Sequence, residues 1–100
     1  MGDMDRIIRE EARLIILRTL SGEPGGRLNS ELLRQNMEAY GITRTREWVQ
    51  AEMRSLEQLG AIEVTEAGTV LVGQLTQRGQ DHVDRRAFLD GVKRPSLPRV

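Results

Sequence analysis

Residues 61–76, AIEVTEAGTVLVGQLT, alternate apolar and polar side chains with a period of two and break the alternation once, at Glu66, Ala67 and Gly68. A half-buried strand needs that alternation, because successive side chains leave a pleated backbone on opposite faces. One break containing glycine joins two such strands as a β-hairpin. Most of the chain before the hairpin reads with a helical period, so the chain is expected to be mainly α with one small β-hairpin.

Residues 4–20 predict the first helix, since Arg, Glu, Ala and Leu fill it and neither Gly nor Pro interrupts it. Leu14, Ile15, Ile16 and Leu17 are consecutive, and at about 100° per residue they cannot share one face. Such a helix is either central, wrapped by its own domain, or covered in part by a second copy of the chain. SGEPGG at 21–26 is a turn, followed by a short strand at Arg27 and Leu28. Asn29 or Ser30 caps a second helix that runs to about residue 39, with Leu32, Leu33 and Met37 inward and Gly41 ending it.

Thr43 or Thr45 caps a third helix that extends to Leu59 and stops at Gly60. On a helical wheel Val49, Glu52, Met53, Leu56 and Leu59 share one arc with Trp48 near its edge, while Glu47, Gln50, Ala51, Arg54 and Gln58 fall opposite. Trp48 is therefore read as a packing residue. After the hairpin, Thr76 caps a last helix from Gln77 to about residue 87, which brings Val83 and Phe88 to the core or to a partner. The domain is expected to fill residues 1–90. GVKRPSLPRV at 91–100, with two prolines and three basic residues, reads as a basic, flexible tail.

One hundred residues suffice for one domain with one modest core, and three aromatic residues leave that core to Leu, Ile, Val and Met. Without cysteine there is no disulfide framework and no thiolate metal site. No apolar run is long enough to span a bilayer and the acidic start is unlike a secretory signal, so a cytoplasmic protein is expected. His82 is the single histidine, with no second nitrogen ligand beside it, so no metal is expected. No serine has a base or oxyanion motif around it, and PGG precedes a strand rather than a phosphate-cradling helix. Neither an enzyme nor a cofactor is expected.

The order helix, short strand, helix, tight turn, helix, hairpin, helix is that of the winged helix-turn-helix. RSLEQLGAIEV at 54–64 resembles the end of the recognition helix in MarR- and PadR-like regulators, where Gly60 would let the chain leave the helix for the wing. LTQRGQ at 75–80 is similar to the "Leu-Thr-x-x-Gly" that follows the wing in the same regulators. A narrower resemblance spans nearly the whole chain. REEARLIILRTL, RLNSELL, RTREWV and GVKRPS look like a family of small proteins of Mu-like phages and prophages. That resemblance bears on fold and origin, and implies a bacterial host cytoplasm.

In that fold Arg44, Thr45 and Arg46 stand at the start of the helix that enters the major groove, where arginine can bond in bidentate fashion to guanine. Gln50 and Arg54, one and two turns on, would read a base edge or grip a phosphate. These five are the candidate DNA-binding residues, with Lys93 and Arg94 of the tail as further contacts. Three features oppose this reading. Fifteen basic residues offset fifteen acidic ones, Glu47 shares the outward face, and the wing carries Glu63 and Glu66 with no basic residue before Arg78.

The expected function is thus DNA binding, as a regulator of phage genes. The alternative is a phage-encoded module that keeps the fold but binds a phage or host protein, or serves in assembly. A homodimer is expected in either case, through Ile8, Ile15, Ile16, Val83 and Phe88, with Leu89 nearby. No membrane partner is expected.

Overall fold

The computed structural model describes residues 2–97 and forms a mixed α/β domain of four helices and a three-stranded antiparallel sheet. Helix α1, Gly2–Ser21, opens with Asp3 and Asp5 in its first turn, where carboxylates suit the positive end of the helix dipole. Its C-terminal half lies at the centre of the molecule, against every other helix and the sheet. Ala12, Leu14, Ile15, Ile16, Leu17 and Leu20 are all buried there. The all-round apolar stretch is therefore covered by its own domain. Ile15 and Ile16, expected at a dimer contact, are not accessible to a second copy.

A single 3₁₀ turn at Pro24–Gly26 leads into β1, Arg27–Asn29. Asn29 caps α2, Ser30–Glu38, its side-chain oxygen accepting the Leu32 N–H at 2.9 Å. Leu33 and Met37 face the core as expected, but Leu32 is 45% exposed. Adjacent helical residues diverge by about 100°, so one narrow face cannot bury both leucines. Gly41, with φ 83°, turns the chain, and Thr45 caps α3, Arg46–Gln58, by accepting the Trp48 N–H at 3.1 Å. Val49, Glu52, Met53 and Leu56 form its buried face.

Strands β2, Ile62–Ala67, and β3, Val70–Leu75, form the hairpin, with Gly68 (φ 60°) at its tip. β1 pairs along the other edge of β3, Leu28 opposite Gly73, so the sheet order is β1-β3-β2. A hairpin alone understates the sheet, because β3 is a central strand. Ser30, fully buried at the start of α2, accepts the Leu71 N–H at 3.0 Å and joins that helix to the sheet.

Thr76 caps α4, Gln77–Val83, by accepting the Gly79 N–H, and donates its hydroxyl hydrogen to the carbonyl of Gly60 at 2.7 Å. This helix stops well short of residue 87, because Arg85 turns left-handed with φ 63°. The following segment is not a free tail over the residues described. Leu89 and Val92 are buried, the Lys93 N–H bonds to the carbonyl of Glu10, and Arg13 donates to the carbonyl of Gly91. The domain therefore runs past residue 90. Residues 98–100 of the expected tail lie outside the described residues.

Candidate nucleic-acid interface

Helix α3 presents its N-terminal end and one long face to solvent because its apolar residues recur only on the opposite arc. At that end Arg46 is half exposed and sits 3.5 Å from the carboxylate of Glu47. Arg44 lies over the Trp48 ring, 5.5 Å from its centre, and donates to the carbonyl of Thr43 at 3.0 Å. Thr45 is exposed, but its oxygen already accepts the capping N–H of Trp48. Trp48 is half-buried against the core, as a packing residue, and also supports Arg44.

One turn on, Gln50 points toward the hairpin. Its amide donates to the carbonyl of Thr69 at 3.0 Å. A further turn along, Arg54 donates to Glu57 at 3.1 Å and to Glu66 of β2 at 2.9 Å. The hydrogen bond to Glu57, with help from Glu66, raises the pKa of this guanidinium above its ordinary value. Both residues brace the hairpin against α3. The groove between them, about 430 Å³, is lined by Glu47 and Glu66 as well as Gln50 and Arg54, so its charge is mixed. Thr45 and Arg46 are thus exposed beside a half-buried Arg44, while Gln50 and Arg54 form a second, already engaged group.

Glu57 was not among the sequence candidates, although its spacing of three from Arg54 on one helix was the available signal. Helix α2 neutralises its own charge likewise: Arg34 bonds to Glu31 at 2.6 Å and to Glu38 at 3.0 Å. Hydrogen bonds from Arg34 and then Gln35 lower the Glu31 carboxyl to about 2, with a smaller contribution from Arg46.

Lys93 pairs with Glu11 of α1 at 3.0 Å, and Arg94 stacks on Phe88 with its guanidinium carbon 4.4 Å from the ring centre. The two expected tail contacts belong to a docked segment. Of the residues expected at a dimer contact, Ile8 and Val83 are half-buried against the core, Phe88 is 39% exposed, and Ile15, Ile16 and Leu89 are buried. The exposed apolar surface lies elsewhere. Met4 and Ile7 are exposed on the first turns of α1, and a groove of about 470 Å³ is lined by Ile7, Ile8, Tyr40 and Ile42 together with Glu10, Glu11 and Lys93. Met4 and Ile7 continue the stripes of Ile15 and Leu14 toward the N-terminus, and that continuation was the sequence signal for this surface.

His82 is buried with both ring nitrogens engaged. Nδ1 accepts the Leu89 N–H at 3.0 Å, and Nε2 lies 2.9 Å from the carbonyl oxygen of Lys93. Its role is to fasten the C-terminal segment. Among the described residues no helix is long and apolar enough to cross a membrane.

No model of a known protein family matches the chain. The uncharacterized protein gp26 of Escherichia phage Mu is 35% identical over 89 residues, which cover 89% of this chain and 92% of that protein. Among solved structures, the hsRosR-S1 complex contains a chain that superposes with a TM-score of 0.63 at 21% identity. The superposition covers 73% of this chain and 64% of that one, and it establishes a likeness of fold.

Proposed function

This chain belongs to the family of the phage Mu protein gp26, and we propose that it is a winged helix-turn-helix DNA-binding protein that regulates phage genes in the host cytoplasm. α2 and α3 are the helix pair, α3 is the recognition helix and the β2-β3 hairpin is the wing. One observation carries this reading: Arg46 stands exposed at the N-terminal end of α3, with the half-buried Arg44 laid over Trp48 just before it, both outside the core. Such a position suits insertion into the major groove. Arg46 exchanges the weakly held Glu47 for a guanine edge or a phosphate, and exposed pairs of this kind cost little to open. Arg54 and Gln50 keep the wing at its angle to α3 and act as positioning residues. No chemical step is part of the reading.

Replacing Arg46 with Ala is expected to weaken duplex binding roughly tenfold or more, since a good base contact is worth about 1–3 kcal/mol. Unchanged affinity in both Arg46→Ala and Arg44→Ala would contradict the assignment. Arg54→Ala should instead loosen the hairpin, seen as faster amide exchange at residues 62–72.

The reading includes a homodimer, because a two-fold pair sets two recognition helices about one DNA turn, roughly 34 Å, apart. The surface open to a second copy is the groove lined by Ile7, Ile8, Tyr40 and Ile42. A monomer by light scattering at tens of micromolar would remove this part.

A second reading is favoured by the acids around Arg54. A wing whose one arginine contact is closed by Glu57 and Glu66 also suits a protein partner. That reading predicts capture of a phage or host protein and no duplex affinity.

A further inference from the structure

The loop after α4 gathers positive charge that the domain does not neutralise. Arg85 and Arg94 hold their guanidinium carbons 5.4 and 4.4 Å from the centre of the same Phe88 ring. Among the described residues, neither these two nor Arg86 has a carboxylate within ion-pair distance. Two nearby acids in the chain are turned to uncharged groups, Asp81 accepting from Gln77 at 2.8 Å and Asp84 from Gln80 at 3.1 Å, and Asp90 is exposed and paired with none of the three arginines. On α3 the opposite holds, since Arg46 and Arg54 both touch glutamates.

The cluster is built into the fold. Arg85 takes a left-handed φ of 63°, uncommon for a residue with a Cβ, and its guanidinium donates to the carbonyl of Pro95. Phe88 stands edge-on to the buried His82 ring at 6.0 Å. His82 in turn holds the backbone at Leu89 and Lys93, on either side of the buried Val92. Two cations are thus fixed against one ring, and like charges repel unless an anion sits with them. The guanidinium fork matches a phosphate better than any other cationic side chain, and Phe88 remains 39% exposed beside it.

We infer that Arg85, Phe88 and Arg94 form a phosphate-binding site that grips a nucleic-acid backbone apart from α3, an inference that rests on the DNA-binding reading above. The guanidinium N–H groups not used by Pro95 supply the donors. Bases are not read here, so the site adds affinity without sequence preference.

The test compares wild type, Arg85→Gly/Arg94→Gln and Arg46→Ala on one set of DNA duplexes across a salt series. Glycine accepts φ 63°, so the double variant keeps the loop backbone. It is expected to bind all duplexes more weakly and to lower the slope of log K against log salt by about two, near 0.9 per lost contact. Inorganic phosphate should shift the guanidinium resonances of residues 85 and 94 in wild type. A double variant with the wild-type slope, alongside an Arg46→Ala protein that binds weakly, overturns this site and leaves the DNA reading intact. Wild type that binds no duplex removes both. An acidic peptide that binds the cluster while duplex DNA does not overturns it in favour of a protein partner.

Discussion

Arg13 of α1 and Glu52 of α3 form an ion pair of 2.8 Å across the middle of the domain, with the carboxylate almost wholly buried. The same arginine donates to the carbonyl of Gly91, so one side chain joins α1, α3 and the C-terminal segment. Removing Glu52 leaves a largely desolvated cation without its partner. Because Arg13 keeps some access to water, Glu52→Ala is expected to cost about 2 kcal/mol, less than the roughly 3–5 of fully buried pairs. Urea unfolding should show a lower midpoint with an unchanged slope. The paired change Arg13→Met/Glu52→Met should recover most of the loss, and a variant Glu52→Ala as stable as wild type would show that the pair contributes nothing.

Gly79 admits no side chain. A Cβ there would lie 2.3 Å from the carbonyl oxygen of Ala61 and 2.7 Å from Leu75, because the first turn of α4 presses on the connection between α3 and β2 and on the end of β3. The nearest atom is backbone and cannot step aside, so Gly79→Ala should cost about 3 kcal/mol, the upper end of ordinary overpacking. Thermal unfolding measures it, and a loss under about 1 kcal/mol would contradict the close approach.

These two positions also show how far the sequence could be read. The string LTQRGQ pointed to Gly79 by resemblance, and the contact with Ala61 supplies its physical reason. The Thr76 cap and the hairpin followed from spacing alone, and spacing narrowed the other caps to Asn29 or Ser30 and to Thr43 or Thr45, because each rests on neighbours within a few residues; the face of α2 was drawn too wide at Leu32. What sequence could not settle depended on distant partners. The run Leu14 to Leu17 fitted two environments equally well, and only the surrounding elements decide between them. The basic, proline-containing C-terminal segment had the composition of a free tail, yet His82, eleven residues before Lys93, holds it. Arg54 sat on the outward face as expected, but its closure by Glu66 of the hairpin was not visible from α3.

Acid should loosen the start of α2. The Glu31 carboxyl is held at about 2, against an ordinary 4.5, first by its hydrogen bond from Arg34 and then by Gln35. A carboxylate lowered in the folded state contributes stability in full above pH 4.5 and loses it as pH falls through the window from 4.5 to 2. NMR titration of Glu31 should give a midpoint near 2 in wild type and a return toward 4.5 in Arg34→Gln. A wild-type midpoint already at 4.5 would mean the pair does not persist in solution.

Direct binding of the intact chain to duplex DNA is the measurement that bears most closely on the central claim. Fluorescence anisotropy with phage-derived and random duplexes, repeated over a salt series, is expected to give affinities tighter than about 10⁻⁴ M, the weak end of ordinary non-specific binding. With fifteen acids offsetting fifteen bases, the salt slope should be shallow beside that of strongly basic repressors. NMR shifts on adding the duplex should centre on Arg44, Arg46 and their neighbours in α3. Affinity weaker than about 10⁻⁴ M for every duplex would contradict the DNA-binding account and leave a protein partner as the function of the fold.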